Sequence, residues 1–168
     1  VTDFRITFGN SQFVVTDINP ADDNEGTDNL FDMEQVSFAG STYNLLATNT
    51  GTGNADLMVA TIGGDTMNGL GGDDVFMWTV GKGADTFEGG AGTDKLVVSL
   101  QNNQSAVVVN STVEVTDQFN IVTVLNFNEV ESVDIVAPPV FATNITGTGG
   151  ADGNLAGNAG DNVIDGLA

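Results

Sequence analysis

Residues 63–78 read GGDTMNGLGGDDVFMW. Aspartates follow runs of glycine, and a large apolar residue stands two positions after Asp65 and again two positions after Asp74. A catalytic loop would show this arrangement once. Here it recurs in blocks of nine: GTGNADLMV at 51–59, ATIGGDTMN at 60–68, GLGGDDVFM at 69–77, then, after Trp78 and Thr79, VGKGADTFE at 80–88 and GGAGTDKLV at 89–97. The sixth place is always aspartate: Asp56, Asp65, Asp74, Asp85 and Asp94. The eighth is always large and apolar: Met58, Met67, Phe76, Phe87 and Leu96. The fourth is glycine except at Asn54.

Each residue type has a physical reason. Glycine permits tight, partly left-handed turns that crowd carbonyl oxygens together. The aspartate ends the turn, and the apolar residue two places on points inward from a short strand. Each block is therefore a turn and a strand, and two blocks make one coil of a solenoid. Turns eighteen residues apart, or twenty where Trp78 and Thr79 are inserted, stack on one edge, which sets Asp56 over Asp74 and Asp74 over Asp94, and, on the other edge, Asp65 over Asp85. Stacked carboxylates repel unless a cation lies between them. Oxygen-only ligands select a hard ion, and calcium accepts six to eight oxygens in flexible geometry, whereas magnesium demands a strict octahedron. Zinc would want nitrogen or sulfur. The alternative on the same residues is a stacked coil whose aspartates are merely solvated. A phosphate-binding reading of Gly69-Leu70-Gly71 or Gly81-Lys82-Gly83 is weaker, since an aspartate follows each and no helical period opens.

The blocks resemble the nonapeptide G-G-x-G-x-D-x-U-x of the repeats-in-toxin family of secreted bacterial proteins, with GGAGTDKLV and GLGGDDVFM the nearest matches. The resemblance covers 51–97; Thr52, Asn54, Ala60, Thr61 and Val80 depart from its glycines. It implies an all-β fold built on a calcium-binding parallel β-roll. It also implies a ligand set: the carboxylates of Asp56, Asp65, Asp74, Asp85 and Asp94 with turn positions Gly53, Gly63, Gly71, Gly72, Gly83, Gly90 and Gly92.

Composition narrows the remainder. The 168 residues include no cysteine and no histidine, which excludes within this chain a disulfide framework, a thiolate metal site, a Ser-His-Asp triad and an HExxH zinc site. Three basic residues, Arg5, Lys82 and Lys95, face 23 acids, for a net charge of −20. Such a chain is a poor partner for nucleic acid or an anionic membrane. No apolar run reaches membrane-spanning length. The chain reads as a segment of something longer.

Residues 98–146 and 1–50 alternate apolar and polar, which is strand patterning. They are expected to form antiparallel capping and spacer segments, with Ile6, Phe8, Phe13, Val15, Val36 and Phe38 in a core. Residues 147–168 read as the start of a second, degenerate array, with Asn162 in the aspartate place. A longer repeat supports this: MEQVSF at 33–38 echoes VESVDI at 130–135, GTGNAD at 51–56 echoes GTGGAD at 147–152, and VTDFRI at 1–6 echoes VTDQFNI at 115–121. The acidic stretch 22–28 fails the EF-hand spacing and reads as a solvated turn. Glu34 and Glu131 occupy equivalent places in two copies, so they are expected to be exposed strand residues and not a catalytic pair.

The expectation is a non-enzymatic calcium-binding structural module of a large secreted tandem-repeat protein of surface-layer, adhesin or matrix type. It would stay unfolded in calcium-poor cytosol and fold outside the cell, with neighbouring repeats as partners and end-to-end self-assembly left open. The resemblance implies export by a one-step (type I) secretion system. The competing expectation is an accessory roll of a secreted protease, lipase, lyase or epimerase.

Overall fold

Turn residues interrupt the chain every few positions, and the runs between them are rich in Val, Phe, Leu and Thr, so only short strands can form. The computed structural model describes residues 4–9, 12–17, 27–30, 35–38, 40–46, 49–101, 103–136, 144–146 and 163–165. These are all-β, with no helix among the described residues. The acidic stretch at 22–26, Glu34 and most of the second array lie outside them.

The first three strands, β1 (Phe4–Gly9), β2 (Gln12–Asp17) and β3 (Thr27–Leu30), form an antiparallel sheet. Next come β4 (Gln35–Phe38), β5 (Ser41–Leu46), β6 (Asp56–Val59), β7 (Thr66–Asn68), β8 (Val75–Thr79), β9 (Thr86–Glu88) and β10 (Lys95–Ser99). They are followed by β11 (Ser105–Val109), β12 (Thr112–Thr116), β13 (Val122–Asn128), β14 (Ser132–Val136), β15 (Asn144–Thr146) and β16 (Val163–Asp165). From β6 to β10 the chain alternates between two sheets. One has the order β14-β10-β8-β6-β5-β4, the other β11-β12-β13-β9-β7.

Both sheets are mixed. Strands β5, β6, β8, β10 and β14 run parallel, and β4 adds antiparallel. In the facing sheet β7, β9 and β13 run parallel, and the β11–β12–β13 meander is antiparallel. The flanking segments were expected to be antiparallel throughout. Instead β13 and β14 continue the parallel ladders: Phe127 lies opposite Phe87, Val133 opposite Leu96 and Ile135 opposite Val98. An open parallel edge needs main-chain partners, and the period-two apolar face of 122–136 supplies them while burying Leu125, Val133 and Ile135.

The five eighth-place residues, Met58, Met67, Phe76, Phe87 and Leu96, are all fully buried between the two sheets, with Trp78, Val98, Val113 and Leu125. The Phe76 and Phe87 rings pack tilted at 56° with centroids 5.6 Å apart, a contact worth about 0.5–1.5 kcal/mol beyond area burial. The outer face of the six-stranded sheet carries Leu57, Val59, Val75, Met77 and Val97, covered by Ile6 and Phe13 with the partly buried Phe8, Val15 and Leu30. Val36 is also partly buried there, whereas the side chain of Phe38 lies outside the described residues.

The long sequence repeat has a counterpart in strand pairing. The β1–β2 hairpin pairs Phe4 with Asp17 and Gly9 with Gln12, and the β11–β12 hairpin pairs Ser105 with Thr116 and Val109 with Thr112. Each adds a third antiparallel strand, with Phe13 opposite Leu30 in one and Val113 opposite Leu125 in the other. Thr50 bridges Asn68 in parallel, and Thr146 pairs with Asp165 in the same way.

Successive turns lie back to back with almost no space. At Gly83, φ is +125° and a Cβ would fall 1.6 Å from the Gly63 carbonyl oxygen. Gly53, by contrast, has nothing within 4 Å of that position. Gly83→Ala is therefore expected to lower stability by more than about 1 kcal/mol, and Gly53→Ala to change it by less than about 0.5 kcal/mol. Urea denaturation of the two variants beside the parent chain checks the contrast.

Candidate metal centre

Each glycine-rich turn delivers its aspartate to the start of the following strand, so turns of one edge bring their carboxylates into a column. The Asp56 N–H donates to Asp74 Oδ1 at 2.8 Å, and the Asp74 N–H donates to Asp94 Oδ1 at 2.8 Å. On the opposite edge the Asp65 N–H donates to Asp85 Oδ1 at 2.7 Å. The five aspartates singled out in the sequence thus fall into two columns, with the neighbours that the eighteen-residue spacing implies. The first column goes one step beyond the motif: the Asp94 N–H donates to Glu131 Oε2 at 2.6 Å. Asp56, Asp74, Asp85 and Asp94 are each 0% exposed, so these four are not the solvated turn residues of the alternative reading.

The second carboxylate oxygen divides the five into two kinds. Asp56 Oδ2 accepts from the Thr52 N–H at 2.5 Å and the Thr52 hydroxyl at 3.0 Å. Asp65 Oδ2 accepts from the Thr61 N–H at 3.0 Å and the Thr61 hydroxyl at 2.8 Å. These turns are closed by their own threonine. In the other three turns that place is taken by Leu70, Gly81 and Gly90, all left-handed, with φ of 70°, 91° and 98°. β-Branched threonine resists this conformation. The Leu70 N–H instead donates to Asn68 Oδ1 at 3.0 Å. The consequence is plain: Asp74 Oδ2, Asp85 Oδ2 and Asp94 Oδ2 are buried and have no hydrogen-bond partner. A bulky residue held left-handed, as Leu70 is, stores of order 1–3 kcal/mol of strain.

The electrostatics follow the same division. Burial pushes the Asp74 carboxyl up to about 7, and the charges of Asp94, Asp56 and Asp73 add to the effect against a backbone hydrogen bond that opposes it. Burial raises Asp85 too, with Asp65 contributing. Asp94 is raised by burial and then by Glu131, Asp73 and Glu129. Asp65 goes the other way: burial works against ionisation, but hydrogen bonds from Thr61 and Asn49 and the charge of Lys82 together hold the carboxyl below its ordinary value.

Two of the unpartnered oxygens lie against first-place glycines, where no side chain would fit. A Cβ on Gly69 would lie 2.0 Å from Asp74 Oδ2 and 2.6 Å from the Gly89 carbonyl oxygen. One coil on, a Cβ on Gly89 would lie 2.5 Å from Asp94 Oδ2 and 1.7 Å from the Glu129 carbonyl oxygen. Gly51 stands in the same way to Asp56 Oδ2 and the Gly69 carbonyl oxygen, so the missing hydrogen bonds, not the glycines, set Asp74 and Asp94 apart. Adjacent carboxylate and carbonyl oxygens are donors of the kind a hard cation takes. No cluster of three or more acidic side chains suited to a metal occurs among the described residues, so an ion here needs main-chain oxygens as well. The oxygen set therefore fits calcium in kind, at Asp74 and Asp94 best.

The glycines named in the sequence meet a variety of neighbours in the folded turns. The Gly83 carbonyl accepts the Trp78 indole N–H at 3.1 Å, and Gly53 is exposed. The carbonyls of Gly63 and Gly72 instead face the next turns at Gly83 and Gly92, and Gly90 packs against the Leu70 carbonyl. Gly71 bridges Ala91 in the parallel pairing. The residues that border the carboxylates, Gly69, Gly89 and Glu129, occupy the first place of each turn. The first-place glycines of the two best motif matches carried that signal; nothing in the motif marks Glu129 or Glu131.

No family model matches the chain, and neither a curated protein nor a solved structure matches it.

Because the Asp74 carboxyl titrates near 7 when folded and near 3.8 otherwise, folding favours its protonated form. Its contribution is complete at low pH and is lost as pH rises through about 7. In chelator, the melting temperature is expected to be higher at pH 5 than at pH 8. Asp74→Asn keeps an acceptor for the Asp56 N–H and should shrink that pH dependence, whereas Glu114→Gln, on an exposed strand position, should not; calorimetry at the two pH values distinguishes them.

Proposed function

We propose that the segment from β5 to β14 is a calcium-loaded parallel β-roll and serves as a structural module of a large secreted tandem-repeat protein. The observation that carries this reading is the trio of buried, unpartnered carboxylate oxygens at Asp74, Asp85 and Asp94. An unpaired buried carboxylate is among the most destabilising groups a fold can contain, and a hard divalent cation removes the penalty at all three. The resemblance of the nine-residue blocks to the repeats-in-toxin motif supports the same ion. The matching hairpins at β1–β2 and β11–β12, and the matching bridges at Thr50 and Thr146, support a unit that repeats.

The physical logic is a switch set by the surroundings. Extracellular calcium modules bind with Kd on the order of 10⁻⁴ to 10⁻³ M, so millimolar calcium loads them and cytosolic calcium does not. Ions that bind only the folded chain stabilise it by about 1.4 kcal/mol for each tenfold excess over Kd. With 23 acids and a net charge of −20, the unloaded chain repels itself, and its fold is weaker than that of the loaded chain. Three bound calcium ions would reduce that charge to about −14, each contributing +2.

Far-UV circular dichroism and thermal melts should show a gain of strand signal or of melting temperature in millimolar calcium, reversed by chelator and weaker with magnesium. Calcium affinity should also rise with pH through about 7, since the ion needs the ionised Asp74. A chain indifferent to calcium and to chelator defeats the reading.

A further inference from the structure

The calcium reading accounts for the motif turns but leaves the end of the column unexplained. We propose that the 129–131 turn, which contains neither glycine nor aspartate, forms the far wall of a terminal calcium seat opposite Asp94, with the Glu131 carboxylate and the Glu129 carbonyl as ligands. This rests on the calcium reading of the motif turns and extends it to residues outside the motif.

Three observations converge on that turn. Asp94 is 0% exposed, and its Oδ2 has no hydrogen-bond partner. Gly89 lies against Asp94 Oδ2 and the Glu129 carbonyl, as Gly69 one coil earlier lies against Asp74 Oδ2 and the Gly89 carbonyl. Glu129 therefore stands where Gly89 stands. Finally, the Asp94 N–H donates to Glu131 Oε2 at 2.6 Å, the bond that the Asp74 N–H makes to Asp94 Oδ1 at 2.8 Å. Glu131 therefore stands where an aspartate would.

The residue types suit the shorter turn. Four residues separate Gly89 from Asp94, but only Val130 separates Glu129 from Glu131. Glu129 is left-handed, with φ of 50°, which folds the chain back at once. The additional methylene of glutamate then restores the reach that a shorter turn loses. The parallel pairing of β13 with β9 and of β14 with β10 holds this turn in register with 89–94.

Calcium titration of the full chain by isothermal calorimetry tests the seat. Glu131→Gln keeps an acceptor for the Asp94 N–H and removes the charge. It is expected to bind one calcium ion fewer per chain, with the remaining sites unchanged. Glu131→Asp keeps the charge but shortens the reach, and it should weaken the same site; Glu114→Gln should leave stoichiometry and affinity as they were. If both Glu131 variants bind the parent number of ions at parent affinity, the terminal seat is wrong and the calcium reading of Asp74 and Asp85 stands. If the parent chain binds no calcium, both fall together. If Glu131→Gln no longer folds, Glu131→Asp decides: undiminished binding in that variant overturns the seat, and loss of one ion supports it.

Discussion

One bond recurs at every level of the turn columns: the main-chain N–H of one aspartate donates to the carboxylate of the next. It aligns Asp56, Asp74, Asp94 and Glu131 on one edge, and Asp65 with Asp85 on the other. The bond uses one carboxylate oxygen and drags the other out of water. Strand register, glycine content and the packing of Phe76 on Phe87 all serve to hold this geometry. The problem that every turn must then solve is what to do with the second oxygen.

Two solutions coexist in one chain. Thr52 and Thr61 supply a hydroxyl and an N–H from within the turn, and Asp65 accordingly ionises more readily than usual. Leu70, Gly81 and Gly90 turn left-handed and supply nothing, so burial drives the Asp74, Asp85 and Asp94 carboxyls upward. The first solution is a turn that hydrogen-bonds its own carboxylate. The second leaves a buried oxygen without a partner, which costs stability by itself, and this is why the unpartnered oxygens weigh more than the aspartate count in the calcium proposal.

Much of this was legible in the residues. The sixth-place aspartates and the eighth-place apolar residues fell where a nine-residue period puts them, because a turn followed by a strand is a local structure and local chemistry specifies it. The parallel pairing of β13 and β14 was not legible. Their alternating pattern fits an antiparallel hairpin equally well, and only the open edges of β9 and β10, brought close by the fold, decide the matter. Glu131 is exposed, as its place in the sequence suggested, but its bond to the Asp94 N–H was not legible, because the two residues lie 37 apart in sequence. The division between threonine-closed and left-handed turns was visible in principle, since a β-branched residue cannot adopt the conformation that leaves the carboxylate bare.

That division also has an order along the chain. The two self-sufficient turns, at Thr52 and Thr61, come before the three that lack a donor of their own, at Leu70, Gly81 and Gly90. A chain built this way has a starting block and a direction. Coils nearest β6 close with their own hydrogen bonds and present a ready template. On the proposed calcium reading, each later coil would take up its own ion before lying down on the last, so growth would run from one end and removal of the ion would fray the other first.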